Sequence, residues 1–227
     1  MAELTPIRQL AEQYNDNPVV KALVQLITPY IDALDTLLMT HLQSFRDKRI
    51  ITFFDELATL DIELNPELLV SEDFLHCCFA TLKAAINTYQ QEKIRKYANL
   101  LGTYTMSGNF ADVDEFEEYL KILEELSLKE INILEILETH EAKHPLREDE
   151  NENEGQRVNR FWASFTQTLI NELEIPREEI DARLMRLTRT GCYELLRTYV
   201  VGSKGKLTPT YIRLKQFLDT NALEVVF

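Results

Sequence analysis

FTQTLINELEIPREEIDARLMRLTRT, residues 165–190, is the stretch on which the fold turns. Leu169, Ile170 and Leu173 close one helical stripe, and Ile175 supplies an apolar contact at the turn that follows. Pro176 suits the first turn of the next helix, where its missing amide has no partner to lose. Ile180, Leu184 and Leu187 put one apolar stripe on that helix. Gly191 stands where a left-handed residue would end it. Residues 192–201, rich in Tyr, Leu, Thr and Val, read as a strand. Gly202-Ser-Lys-Gly205 reads as a turn, with Lys204 at its tip, and Lys206-Leu207 as the start of a return strand. Thr208 and Pro209 then cap and open a last helix carrying Ile212 and Phe217.

Upstream, no glycine occurs before Gly102, which argues for long helices. Residues 4–14 read as a short first helix. Pro18 and Pro29 each fit a first-turn position, with Asn17 and Thr28 as N-caps. Leu34, Leu38, Leu42 and Phe45 recur at helical spacing, and a basic cluster of Arg46, Lys48 and Arg49 leads into a helical stretch over 50–60. Asn65-Pro66 starts another short helical segment. Ser71 caps the clearest helix, striped by Phe74, Leu75, Cys78, Phe79, Leu82, Ile86 and Tyr89. Ile94, Tyr97, Ala98, Leu101 and Tyr104 define the next one. Phe116, Leu120, Leu123 and Leu126 make a linking helix, and Ser127-Leu-Lys-Glu130 is a capping box that opens a helix with Ile131, Leu134 and Leu137. The chain therefore reads as mainly α: an antiparallel helical bundle over residues 1–110, then a domain over 111–227 with one small β-hairpin and an acidic, mobile loop at 147–156.

The order helix, helix, turn, helix, Gly, strand, turn, strand, helix over about residues 127–219 resembles the winged helix-turn-helix superfamily, and LINELEIPREEIDARLMRLTRTGCYEL is similar to its second and third helices. The closing Leu207-Thr-Pro209 resembles the end of a wing. This resemblance implies DNA binding through the helix at 176–190, with the hairpin on phosphate or minor groove. Arg177, Arg183, Arg186 and Arg189 on the helix, with Lys204 and Lys206 on the turn, are the residues available for it. Arg183, Arg186 and Arg189 would form one ridge opposite Ile180, Leu184 and Leu187. Glu178, Glu179 and Asp181 sit on the first turns of the same helix, and Glu179–Arg183 has the spacing of an intrahelical pair. Two roles stay open: a DNA reader, acting as a dimer, and a protein-binding adaptor.

The charge is uneven. The formal net charge is −14, yet residues 157–215 hold 11 Lys and Arg against 6 Asp and Glu. Residues 1–156 hold 13 against 30. A field of that sign repels nucleic acid and anionic membrane overall, so a DNA-binding face would have to be local. No apolar run approaches the roughly 18–20 residues a membrane span requires, and residues 1–14 lack the apolar core of a secretory signal. The three cysteines, Cys77, Cys78 and Cys192, are no disulfide framework, and a reducing cytoplasm is the expected setting. Cys78 and the lone His41 read as structural.

Assembled chemistry is sparse. Phosphate loops, dinucleotide fingerprints and nucleophile elbows are missing from the sequence. His140-Glu141-Ala-Lys-His144 matches the pattern in which two histidines at i and i+4 bind zinc and a glutamate serves as base. Against it, Pro145 biases His144 out of the helix and Lys143 puts positive charge between the ligands. Phe161, Trp162 and Phe165 read as a core or interface cluster. The expected function is that of a non-enzymatic interaction or regulatory protein without cofactor, binding a protein partner or itself. The alternative is a DNA-binding transcriptional regulator. A zinc-dependent hydrolase using His140, Glu141 and His144 is the remote third.

Overall fold

A computed structural model describes residues 12–35, 40–60, 62, 68, 71–107, 112–147, 151–196 and 203–219, with side chains except at 30–35 and 40–43. Among the described residues the chain is mainly helical. Nine α-helices are given bounds among the described residues: α1 (Pro18–Asp35), α2 (Thr40–Thr59), α3 (Glu72–Asn87), α4 (Gln91–Met106), α5 (Val113–Glu125), α6 (Leu128–Lys143), α7 (Glu154–Leu173), α8 (Arg177–Leu187) and α9 (Pro209–Leu218). One antiparallel pair joins β1 (Tyr193–Leu195) to β2 (Gly205–Leu207). No helix among the described residues is long and apolar enough to cross a membrane. Backbone contacts divide the chain into two compact units, Met1–Leu123 with Gln216–Phe227, and Glu124–Lys215. The sequence-based boundary at 110 falls one helix earlier. The segment expected as a helix at 4–14 lies mostly outside the described residues, as do that at Asn65-Pro66 and the side chains of Leu34, Leu38, His41 and Leu42.

In the first unit the helix starts follow local chemistry. Asn17 accepts from the Val20 amide (3.1 Å) and Ser71 from the Phe74 amide (3.3 Å), each meeting one of the donors a helix start leaves open. Val20, Leu23, Val24 and Ile27 bury one face of α1. That burial carries the helix through Pro29, which lies inside α1 and opens no new helix. Thr28 is no cap; its hydroxyl donates to the Val24 carbonyl (2.7 Å). In α2 the buried face is Arg46, Ile50, Phe53, Phe54 and Leu57. Phe45 therefore lies off that stripe and is 57% exposed, against the core role its spacing suggested. Phe74, Cys78 and Leu82 of α3 and Ile94, Tyr97, Ala98, Leu101 and Tyr104 of α4 are buried as their periods predict, whereas Leu75, Phe79 and Ile86 of the α3 stripe are half-buried and Cys77, outside it, is buried. The α3 stripe stops short, however, because the helix ends at Asn87 and Tyr89 in the connection is 79% exposed.

The second unit is built around α6, α7, α8 and the hairpin. The Ser127 capping box forms in both directions, and a second one, Asn153 with Gln156, opens α7. The expected acidic loop is thus shorter than 147–156, for Glu154 already belongs to α7; residues 148–150 lie outside the described set. Glu152 accepts from Arg160 (2.6 Å), an ion pair that pulls its carboxyl below the usual value. α7 ends in a left-handed Glu174, Ile175 is buried behind it, and α8 follows with Ile180, Leu184 and Leu187 inward. A short 3-10 turn at Thr188–Thr190 and a left-handed Gly191 (φ 73°) close it. β1 is described only to Leu195, with residues 197–202 outside the described set. β2 begins at Gly205, so this glycine pairs with Leu195 rather than sitting in the turn. Thr208 caps α9 through the Tyr211 amide (3.3 Å), but Ile212 is 53% exposed because the buried face of α9 is Tyr211, Leu214 and Leu218.

Candidate functional site

One cleft in the second unit gathers polar groups from three elements. Its volume is about 360 Å3, and its lining includes Asn159 and Trp162 of α7, Arg177 and Asp181 of α8, and Ser203 and Lys204 ahead of β2. The hairpin fixes this geometry. Buried Tyr193 donates its hydroxyl to the Ser203 carbonyl, and the Ser203 hydroxyl donates to the Asp181 carboxylate. Burial pushes the Tyr193 phenol far up, with Glu141 and Asp181 adding to it, so it stays a donor. Lys204 is not at the tip of a turn. Its carbonyl accepts from the Leu196 amide (3.0 Å) and its ammonium donates to Asn159 Oδ1 (2.6 Å), which draws the turn-side end of the hairpin onto α7.

Of the six cationic residues expected on a DNA-facing surface, the cleft brings together Arg177 and Lys204. The others are placed elsewhere. Arg183 pairs with Glu179 (2.7 Å) on its own helix, and Lys206 lies 3.8 Å from Glu154. Arg186 reaches the buried Glu130 carboxylate (2.9 Å). Arg189 is exposed on the 3-10 turn beyond α8, so the expected ridge is broken by that change of helix type. The Glu130 contact joins α8 to the start of α6 and was hidden from sequence reasoning. The capping box was legible, since its partners are three residues apart, whereas Arg186 is remote in the chain. The Asp181–Ser203 bond was missed for the same reason.

His140, Glu141 and His144 occupy the last turn of α6. His144 is its C-cap (φ −129°), as Pro145 suggested. The two imidazole planes stack at a centroid separation of 6.4 Å and 13° between planes. Metal–nitrogen bonds lie in the ring plane, so stacked, near-parallel rings do not converge on one ion. His144 Nδ1 lies 2.8 Å from the His140 carbonyl, and His140 packs on Phe161 and Phe165. Burial holds His140 below its usual value, favouring the neutral ring. Among the described residues no three His, Cys, Asp or Glu form a group that could hold a metal ion. Glu141 points to the hairpin instead: it accepts from the Leu207 amide (3.0 Å) and pairs with Arg157 (3.2 Å).

Glu141 yields a pH test. Burial raises its carboxyl from the usual 4.5, outweighing the lowering by the Leu207 amide and Arg157. Folding therefore favours the protonated form. The penalty on the ionised group is absent below pH 4.5 and complete once pH exceeds the raised folded value. Glu141→Gln removes this titration. The unfolding free energy of the natural chain minus that of the variant should fall as pH rises from 4.5 through the raised folded value. Urea unfolding read by the fluorescence of Trp162, the sole tryptophan, measures it; a difference that rises with pH would reverse the assignment.

The chain has no significant match among protein-family models, curated proteins or solved structures.

Proposed function

We propose that the chain is a non-enzymatic interaction or regulatory protein whose Glu124–Lys215 unit, a winged-helix-like module, serves as a protein-binding adaptor in the cytoplasm. The supporting observation is that three of its six candidate cations are already engaged by carboxylates. Arg183, Arg186 and Lys206 face carboxylates of their own unit, and Asp181 stands in the cleft beside Arg177 and Lys204. Phosphates would have to displace those carboxylates or approach Asp181, and both oppose binding. An aromatic ring with an arginine in a partly polar cleft suits a protein contact, where Trp and Arg are the commonest anchors. Co-purification of partners with the natural chain and with Trp162→Ala, beside light scattering for self-association, tests the reading. A partner or dimer lost in the variant supports it. A monomer that retains nothing, or a partner set unchanged by the variant, counts against it.

DNA binding is the second reading. It draws on Arg177 and Arg189, for which no carboxylate partner occurs among the described residues, and on the excess of cations over residues 157–215. A gel shift against pooled genomic fragments at low salt separates the two, since the electrostatic contribution is largest there. On the adaptor reading no band is retarded. On the DNA reading, binding weakens in Arg183→Ala/Arg186→Ala, and Lys204→Ala flattens the salt dependence.

A further inference from the structure

The basic cluster at the middle of α2 belongs to the first unit. Phe45, Lys48, Arg49 and Thr52 are spaced at i, i+3, i+4 and i+7, so they share one face of that helix. The buried face, Ile50, Phe53, Phe54 and Leu57, is a different one. Opposite the outer stripe stand Tyr89, from the α3–α4 connection, and Ile94 of α4. Between them is a cleft of about 420 Å3, within the range of small-molecule sites.

Three properties of this cleft point to one ligand class. Its lining contains two cations and no carboxylate, in a chain of net charge −14. Lys48 and Arg49 make no ion pair among the described residues; Arg49 instead donates to the Ile86 carbonyl (2.5 Å), which holds its guanidinium at the cleft wall. Two large rings, Phe45 and Tyr89, are left 57% and 79% exposed at the cleft, while Phe53 and Phe54 of α2 and Tyr97 and Tyr104 of α4 are buried. Exposed rings offer faces for stacking, and the neighbouring cations offer charge-assisted bonds to an anion. We propose that this cleft binds a small planar aromatic molecule carrying a phosphate or a carboxylate. The ring lies against Phe45 and Tyr89 above Ile94, and the anionic group faces Lys48 and Arg49. The site belongs to the first unit and is independent of the adaptor reading.

Calorimetric titration of the full chain tests it, with 1-naphthyl phosphate and 1-naphthoate as probes beside neutral 1-naphthol and inorganic phosphate. At least one naphthyl anion should saturate a single site, and 1-naphthol and inorganic phosphate should bind about tenfold more weakly or worse, each lacking one of the two contacts. Lys48→Gln should cost about tenfold in affinity for the anionic probe, and Tyr89→Ala about fivefold. Both side chains are exposed, so neither change threatens the core; thermal melts of the variants verify that. Saturation by neither naphthyl anion at millimolar concentration would overturn the proposal. So would equal binding of 1-naphthol, or undiminished binding by both variants.

Discussion

Gly205→Ala should destabilise the Glu124–Lys215 unit by about 3 kcal/mol, the upper end of what inserting one methyl into a packed site costs. A Cβ built on Gly205 falls 2.2 Å from the Glu194 carbonyl oxygen and 2.4 Å from the Tyr193 ring. The first of these is backbone, held in the ladder opposite Gly205 and its neighbours, and cannot swing aside. The second is a buried ring tied to the Ser203 carbonyl, so moving it breaks the bond that shapes the cleft. Gly191 is the informative contrast. Its Cβ would meet nothing within 4 Å, but its φ is +73°. Gly191→Ala should therefore cost only the left-handed strain, about 1–2 kcal/mol. Urea unfolding read by Trp162 fluorescence follows both variants, because Trp162 lies in the same unit. A Gly205→Ala chain with the natural midpoint would show that the strand pair is looser than described.

The sequence was legible where the physics is local. Caps at Asn17, Ser71, Ser127 and Thr208 couple residues three apart, and the structure forms all four. The stripes of Ile94 to Tyr104 and of Ile180 to Leu187 were legible because one helix face meets one core. Reading failed where remote partners decide. Pro29 looks like a helix start by itself, yet the burial of Val20 to Ile27 carries α1 past it. Phe45 continues an apolar period, but α2 turns a different face inward. Gly205 looks like turn punctuation, and only the proximity of Glu194 and Tyr193 gives it a place in the strand. The candidate cations share this limit. The positions of Arg177, Arg183 and Arg186 on α8 were legible, whereas the carboxylates that hold Arg186 and Lys206 come from other elements.

Glu130 is where that long-range pairing bears most on stability. Its carboxylate is 3% exposed and both oxygens are engaged. Oε2 accepts from the Ser127 amide (2.8 Å) and hydroxyl (2.7 Å), and Oε1 forms an ion pair with Arg186 Nε (2.9 Å). Glu130→Ala removes half of a capping box and the anchor for α8 together, and leaves a small void. The cap alone is worth about 1 kcal/mol, and the ion pair with the largely exposed Arg186 adds about 1 kcal/mol at most. The sum expected for Glu130→Ala is about 2 kcal/mol. Arg186→Ala should cost less, about 1 kcal/mol, because Arg186 is 61% exposed and Glu130 keeps its two bonds to Ser127. The double variant then measures the coupling: with Glu130 already gone, Arg186→Ala should be nearly neutral. Full additivity of the two losses would mean that Arg186 does not hold Glu130 in solution. The guanidinium would then be available to an external anion, which would shift weight from the adaptor to the DNA reading.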